Sequence, residues 1–298
     1  MRIFITGASG YFGGVLTEHL ISAGHTVEAL ARSDRAAARV AELGATPVAG
    51  GLADTAVLHE AAARNDAVVH AAVDYGDPAM QDVEQPALDA LLTGLADGRP
   101  FVYTSTGLVY PDTKGRPVTE DEEVSEQTAR QPHKYLGERR VLAATNLAAT
   151  VIRAGLIYGR GGSAMLQGLI AGARAQGVAT YVGDGRNIWS TVHVDDLAAL
   201  YAAVLTGGEG GGMGGGIVNA ATRTGMAFRE MVEAVATLTG THTASLSLDQ
   251  ATQLFGDLAH MLAGSTPLDP SRAERLYGWK PAGPSLVEDV TRGSYAAA

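Results

Sequence analysis

The run Gly7-Ala8-Ser9-Gly10-Tyr11-Phe12-Gly13 constrains this chain more than any other stretch, because it follows an apolar strand-like segment, Arg2 to Thr6, and opens a helix-like one. Spaced glycines alone are a weak signal, but between a strand and a helix each has a steric reason. Gly7 permits the tight turn, Gly10 lets backbone come close to a pyrophosphate, and Gly13 lets the helix pack against the strand. The first N–H groups of that helix then face the phosphates, with Ser9, Tyr11 and Phe12 in the same turn.

Strand-like and helix-like runs alternate beyond this turn. A helix over about 13–23 leads to a strand over Thr26 to Ala31, a helix over Ala36 to Leu43 and a short strand over Thr46 to Ala49. Buried β runs follow at Ala67 to Ala72 and Phe101 to Thr104. The next strand, Ala149 to Arg153, comes after a helix opened by Pro132, whose missing N–H costs nothing in a first turn. This βαβ rhythm predicts an α/β fold with a doubly wound parallel sheet of the Rossmann type. From Tyr158 the alternation weakens into shorter helices and loops. A strand-helix signal returns near Val192 to Leu205, then a strand at Ile217 to Ala220 and helical stretches over Met226 to Thr239 and Leu254 to Leu262. The expected division is therefore a cofactor domain at 1–158 and 193–222, with a smaller interleaved C-terminal α/β substrate region at 159–192 and 223–298. The glycine-rich Gly207 to Gly216 reads as a surface linker, since no helix start follows it.

Composition removes several alternatives. A net charge of -10 opposes nucleic-acid partners, which bind through clustered Lys and Arg. The absence of cysteine excludes disulfides, a thiolate nucleophile and cysteine-held metals, and no metal site is expected. No run approaches the roughly 20 apolar residues of a membrane span. Met1 leads straight into the first strand without a leader-like segment, so a cytoplasmic protein is expected.

The end of the second strand reports cofactor type. An NAD binder would carry a carboxylate there for the ribose hydroxyls. Here Ala31-Arg32-Ser33 stands instead, with Arg35 close by, and Arg32, Ser33 and Arg35 suit the 2'-phosphate of NADP(H).

With these features the chain resembles the extended and atypical short-chain dehydrogenase/reductases, the group of nucleotide-sugar epimerases and dehydratases. The resemblance is carried by the glycine turn, His70-Ala71-Ala72, Tyr103 to Tyr110, Arg153 to Gly159, Val192-His193-Val194-Asp195-Asp196-Leu197-Ala198, and Leu268-Asp269 through Gly278-Trp279-Lys280. It implies cofactor contacts at Leu52, Ala71, Ala72, Thr104, Ala154 and Leu156. It also implies that the Thr106 hydroxyl polarises a substrate oxygen and that Lys134 holds the ribose. In the family a Tyr four residues before that Lys exchanges the proton. Here the position is Arg130, whose guanidinium stays protonated. Tyr135 points about 100° away from Lys134 on the helix. His133, Tyr110, Tyr75 and Tyr135 remain as candidate proton donors, and Glu84, rather than Asp82, stands for the family's structural Asn and is a further candidate acid or base.

The resemblance places a diphosphate-binding Arg four residues before His193, where this chain has Trp189. That exchange favours an uncharged, aromatic or polycyclic carbonyl compound over a sugar nucleotide, bound near Tyr75, Thr106, Tyr110, Met165, Tyr181 and Trp189. Asp195, Asp196 and His193 read as structural. Three functions fit: an NADP(H)-dependent oxidoreductase on a small carbonyl or alcohol, a non-redox epimerase, dehydratase or cyclase, and a non-catalytic NADP(H) sensor. By analogy with the family, a homodimer is expected.

Overall fold

β1 (Arg2–Thr6) is buried at every position after Arg2, as expected of a central strand covered on both faces. In the computed structural model, which describes residues 1–73, 79–208 and 214–297, β1 is followed by α1 (Tyr11–Ser22), β2 (Thr26–Ala31), α2 (Asp34–Glu42) and β3 (Thr46–Ala49). Next come α3 (Thr55–Arg64), β4 (Ala67–His70), α4 (Met80–Gly94), β5 (Pro100–Thr106), α5 (Pro132–Leu142) and β6 (Ala148–Ala154). The remainder holds β7 (Leu156–Tyr158), α6 (Ala164–Gln176), β8 (Val178–Val182), β9 (Ile188–Trp189), β10 (Thr191–His193), α7 (Val194–Thr206) and β11 (Gly216–Ala220). It ends with β12 (Met226–Ala227), α8 (Phe228–Thr239), β13 (His242–Leu246), α9 (Leu248–Phe255), α10 (Leu258–Ala263), α11 (Ser271–Tyr277) and α12 (Leu286–Arg292).

Seven strands form one parallel sheet in the order β11-β6-β5-β4-β1-β2-β3. The chain winds from β1 to β3 on one side and from β4 to β6 on the other. The loops leaving β1 and β4 therefore diverge, opening a crevice at the carboxyl ends of the strands. Register places Thr6 beside His70 and Thr106 beside Ala154, aligning the site's strand ends. One face of the sheet packs Ile5, Val69 and Val102 against Leu16, Leu200 and Tyr201. The other packs Phe4 and Phe101 against Leu58, Leu88, Leu91 and Val141. A separate core joins Leu166, Met231, Val235 and Val290 from α6, α8 and α12.

Several elements differ from the sequence reading. α3 and α4 were not expected. Met226 and Ala227 pair antiparallel with Trp189 and Ile188, so the helix read from Met226 starts at Phe228. The stretch read as one helix near 254–262 is two helices, parted at Gly256, whose φ of 58° breaks the ladder. Beyond Tyr158, where shorter helices and loops were expected, α6 runs for 13 residues and β8 pairs in parallel with β13. Ala273, Tyr277 and Trp279, read with the substrate region, pack into the core under α1 and α7. Part of the glycine-rich run and Tyr75 lie outside the described residues. No helix among the described residues is long and apolar enough to cross a membrane.

Candidate active site

A cleft of about 1400 Å³ lies along the carboxyl ends of the sheet strands. At one end the β1–α1 turn is shaped by close approach. Gly7 has a φ of 85°, and a Cβ there would stand 2.7 Å from the Ala72 nitrogen. A Cβ on Gly13 would stand 2.2 Å from the Gly7 oxygen, so α1 can sit this close to the turn only through glycine. Gly10 caps α1 without a side-chain bond, leaving the first helical N–H groups for a ligand. Around this turn the wall is formed by Ser9, Tyr11 and Phe12, by Arg32 and Arg35 beyond β2, and by Leu52, Ala71 and Ala72. Tyr11 is held by its hydroxyl on the Gly159 carbonyl at 2.6 Å, and Phe12 meets the Tyr201 ring edge-on at 4.9 Å. Tyr201 in turn donates to Thr104, another wall residue, at 2.8 Å. Ala154 and Leu156 complete this side. A cradle of this shape, with a helix N-terminus and two arginines, fits a dinucleotide.

Ser33, expected at the cofactor, is not on this wall. Its hydroxyl accepts from the Ala36 N–H at 3.3 Å and caps α2, because a serine beside a helix start satisfies an otherwise unpaired donor.

In the middle of the cleft Lys134 rises from α5. Its ammonium donates to Glu84 Oε1 at 2.8 Å and to the Tyr103 hydroxyl at 3.3 Å, and lies 4.9 Å from the Tyr103 ring centre. Two of its three donors are thus engaged, and one remains for a ligand. Tyr103 also donates to Glu84 at 3.0 Å and stacks on His70 at 5.8 Å. His70 shares a 2.8 Å hydrogen bond with Thr6 and stands 3.6 Å from Glu84, an electrostatic contact. Burial alone would raise the Glu84 carboxyl, but His70 and Lys134 outweigh it and hold it down at about 2. Burial lowers His70, keeping its imidazole neutral. Below this group, Arg153 forks onto Glu138 at 2.9 and 2.5 Å while Ser105 donates to the same carboxylate, tying α5 to β5 and β6.

Thr106 lines the cleft beside Lys134. Its oxygen accepts from the Leu108 N–H at 3.1 Å, which leaves the hydroxyl proton to donate to a ligand.

Four expectations are corrected here. Glu84 is fully buried away from the cleft, and a carboxyl held at about 2 has no proton to give near neutrality, so it acts as the counter-ion of Lys134 and not as an acid or base. His133 is absent from the cleft wall because neighbouring helical residues diverge by about 100°, and Tyr135 is absent for the same reason. Tyr110 is buried beneath the site, its hydroxyl donating to Asn219 at 3.0 Å and its ring covered by Arg153 at 4.4 Å; burial pushes it up to about 12.

The far end of the cleft is apolar. Met165, Tyr181 and Trp189, all expected at the substrate, line it, with Trp189 against Phe228 at 5.2 Å. Phe255, Leu258, Met261 and Leu262 from α9 and α10 join them, although no local pattern marked them as site residues. Arg130 also lines the cleft. Its Nε donates to the Tyr110 carbonyl at 3.1 Å and its Nη2 to the Thr266 hydroxyl, while Nη1 is buried without an acceptor. The "HVDD" segment is structural. His193 accepts from the Asp195 N–H at 3.3 Å, Asp195 pairs with Arg160 at 2.6 Å, and the Asp196 carboxylate accepts from Ala282 and Gly283 at 3.0 and 2.9 Å.

The chain is 30% identical over 304 residues to an uncharacterised protein of Schizosaccharomyces pombe, spanning 99% of this chain and 100% of that one. It is 32% identical over 225 residues to the 4-hydroxy-2-methyl-3-oxo-4-farnesyl-3,4-dihydroquinoline-1-oxide ketoreductase of Stigmatella aurantiaca, covering 71% of this chain and 66% of that one. Its fold superimposes on the dTDP-glucose 4,6-dehydratase DesIV of Streptomyces venezuelae, solved with NAD and TYD bound. The TM-score is 0.79 at 20% identity, over 99% of this chain and 96% of that one. Residues 3–221 match the model of the NAD dependent epimerase/dehydratase family. The chain belongs to the NAD dependent epimerase/dehydratase family.

Proposed function

We propose that the protein is an NADP(H)-dependent oxidoreductase acting on a small, uncharged carbonyl or alcohol with an aromatic or polycyclic body. The observation that carries this reading is the continuity of the cleft, which runs from the glycine turn past Lys134 and Thr106 to an apolar end walled by Trp189, Phe228 and Met261. A bound nicotinamide would supply or accept hydride. The chain's own residues would do the rest. Gly7, Gly10 and Gly13 bring backbone to the pyrophosphate, Lys134 offers its remaining donor to the ribose, and Thr106 donates to the substrate oxygen. Arg32 and Arg35, on the wall where β2 ends, favour a 2'-phosphate. The similarity to a ketoreductase supports reduction of a carbonyl. Epimerase or dehydratase chemistry is less well served, because the carboxyl that would supply an acid or base, Glu84, is turned away from the cleft and held by Lys134.

The test is a titration of the protein with NADPH and NADH, followed by NADPH oxidation against aromatic and aliphatic ketones. NADPH should bind at least tenfold more tightly than NADH, and Arg32→Ala should weaken NADPH by roughly ten- to a hundredfold while leaving NADH unchanged, as expected for one charge-assisted contact of about 1.5–3 kcal/mol. Equal affinity for both cofactors would refute the NADP assignment. Tight binding with no oxidation of any ketone would refute the reductase reading.

A further inference from the structure

Arg130 lines the cleft, and the reading above leaves its chemistry unused. It stands four residues before Lys134, and the backbone beside it joins the Thr106 segment through the Gln131 N–H on the Leu108 carbonyl at 3.1 Å. Two bonds fix its guanidinium, Nε to the Tyr110 carbonyl and Nη2 to the Thr266 hydroxyl, while Nη1 is buried with no acceptor. Among the described residues no carboxylate forms an ion pair with it. The nearby Asp112 is occupied by Lys114 at 2.6 Å and by the Ser265 N–H at 3.1 Å. Gly264 lies against the unused edge. A Cβ there would stand 2.5 Å from Nη1, although the Gly264 backbone, at φ -77° and ψ 158°, is one that any residue adopts. Glycine is needed at this position for space alone. A cation fixed by two bonds, with Nη1 unpaired against Gly264 and only Asp112 as a charge nearby, is poised for an oxygen that becomes negative.

We propose that Arg130 is a catalytic residue: with Thr106, its Nη1 edge donates to the substrate carbonyl oxygen and stabilises the alkoxide formed during reduction. The inference rests on the reductase reading. When hydride from NADPH reaches the carbonyl carbon, the C=O π pair moves to oxygen, the resulting alkoxide takes its proton from water, and NADPH is left as NADP+. A guanidinium cannot give up a proton at any working pH, so its contribution is charge rather than proton transfer. It binds the neutral ketone weakly and the oxyanion strongly, which is the difference that lowers a barrier.

The test combines turnover with a binding measurement. The variants are Arg130→Lys, which keeps the charge without the fixed edge, Arg130→Gln, and Gly264→Ala, which leaves Arg130 in place but crowds Nη1. With a ketone that the protein reduces, kcat should fall by roughly 10²-fold or more in Arg130→Gln, the scale of losing one oxyanion donor, and by less in the other two. NADPH affinity and Tm should stay near wild type in Arg130→Lys and Gly264→Ala. As a probe without turnover, 2-naphthoate is titrated calorimetrically into the NADP+ complex, its charged oxygens standing for the alkoxide. It should bind at least tenfold more weakly to Arg130→Gln and Gly264→Ala. If wild type turns over ketones and neither kcat nor naphthoate affinity moves in any variant, Arg130 is structural and this inference is overturned while the reductase reading survives. If wild type reduces no ketone but binds naphthoate through Arg130, the reductase reading fails and the oxyanion site stands. If wild type neither reduces a ketone nor binds naphthoate, both are overturned.

Discussion

At the scale of single residues, the cleft is organised by one buried charge pair. Lys134 and Glu84 are 3% and 0% exposed, too buried for either to stand alone as an ion. Removing one partner of such a pair strands the other charge in a dry interior, at a cost of about 3–5 kcal/mol. Glu84→Gln should therefore lower stability by that order in urea unfolding, and should also weaken dinucleotide binding because Lys134 loses its orientation. The same pair makes stability depend on acid. A carboxyl that is near 4.5 when unfolded and about 2 when folded contributes stability that is whole above 4.5 and is lost as pH falls towards 2. His70, lowered by burial from an ordinary 6.5, acts in the same sense, since the unfolded chain takes up its proton first as pH falls below 6.5. Urea midpoints should fall steadily from neutrality into acid, and Glu84→Gln should flatten the part below pH 4.5. An unchanged slope there would mean that Glu84 is not the group responsible.

At the scale of elements, α5 shows how a site residue is placed by packing rather than by propensity. Gly137 lies mid-helix, where glycine is about 1 kcal/mol worse than alanine. It is tolerated because a Cβ there would stand 2.2 Å from the Tyr103 hydroxyl, so α5 lies close enough to β5 for Lys134 to reach Glu84 and Tyr103. Gly137→Ala should lower Tm despite its better helix propensity, and should weaken NADPH binding by displacing Lys134. A rise in Tm would show that the close approach is not needed. The sequence made α5 legible, since Pro132 marks its start and Lys134 and Glu138 lie one turn apart. It did not make α9 and α10 legible as site elements. Their apolar residues face a cleft whose opposite wall lies more than a hundred residues away in the chain, and helical periodicity reports a buried face without naming what covers it. β8 and β13 were missed for a related reason: short, half-buried strands paired across sixty residues carry little local pattern.

At the scale of the whole molecule, the cleft separates the sheet with its two facing cores from the cluster built on α6, α8 and α12. A ligand touching both sides stabilises the folded state by mass action. NADPH at a hundredfold excess over its Kd should add about 2.7 kcal/mol and raise Tm by several degrees. The absence of any shift would argue against a dinucleotide in this cleft. The sequence by itself determined the sheet, its parallel sense and the cofactor turn, because strand periodicity and glycine sterics act over neighbouring residues, where covalent geometry alone restricts the outcome. Only the tertiary structure decided that Glu84 is a counter-ion, that Ser33 caps a helix, that Tyr110 is buried, and that Arg130 holds an unused edge towards Gly264. Each of those roles depends on which distant groups share a dry, low-dielectric space, and distances across the fold are not written in any local run of residues.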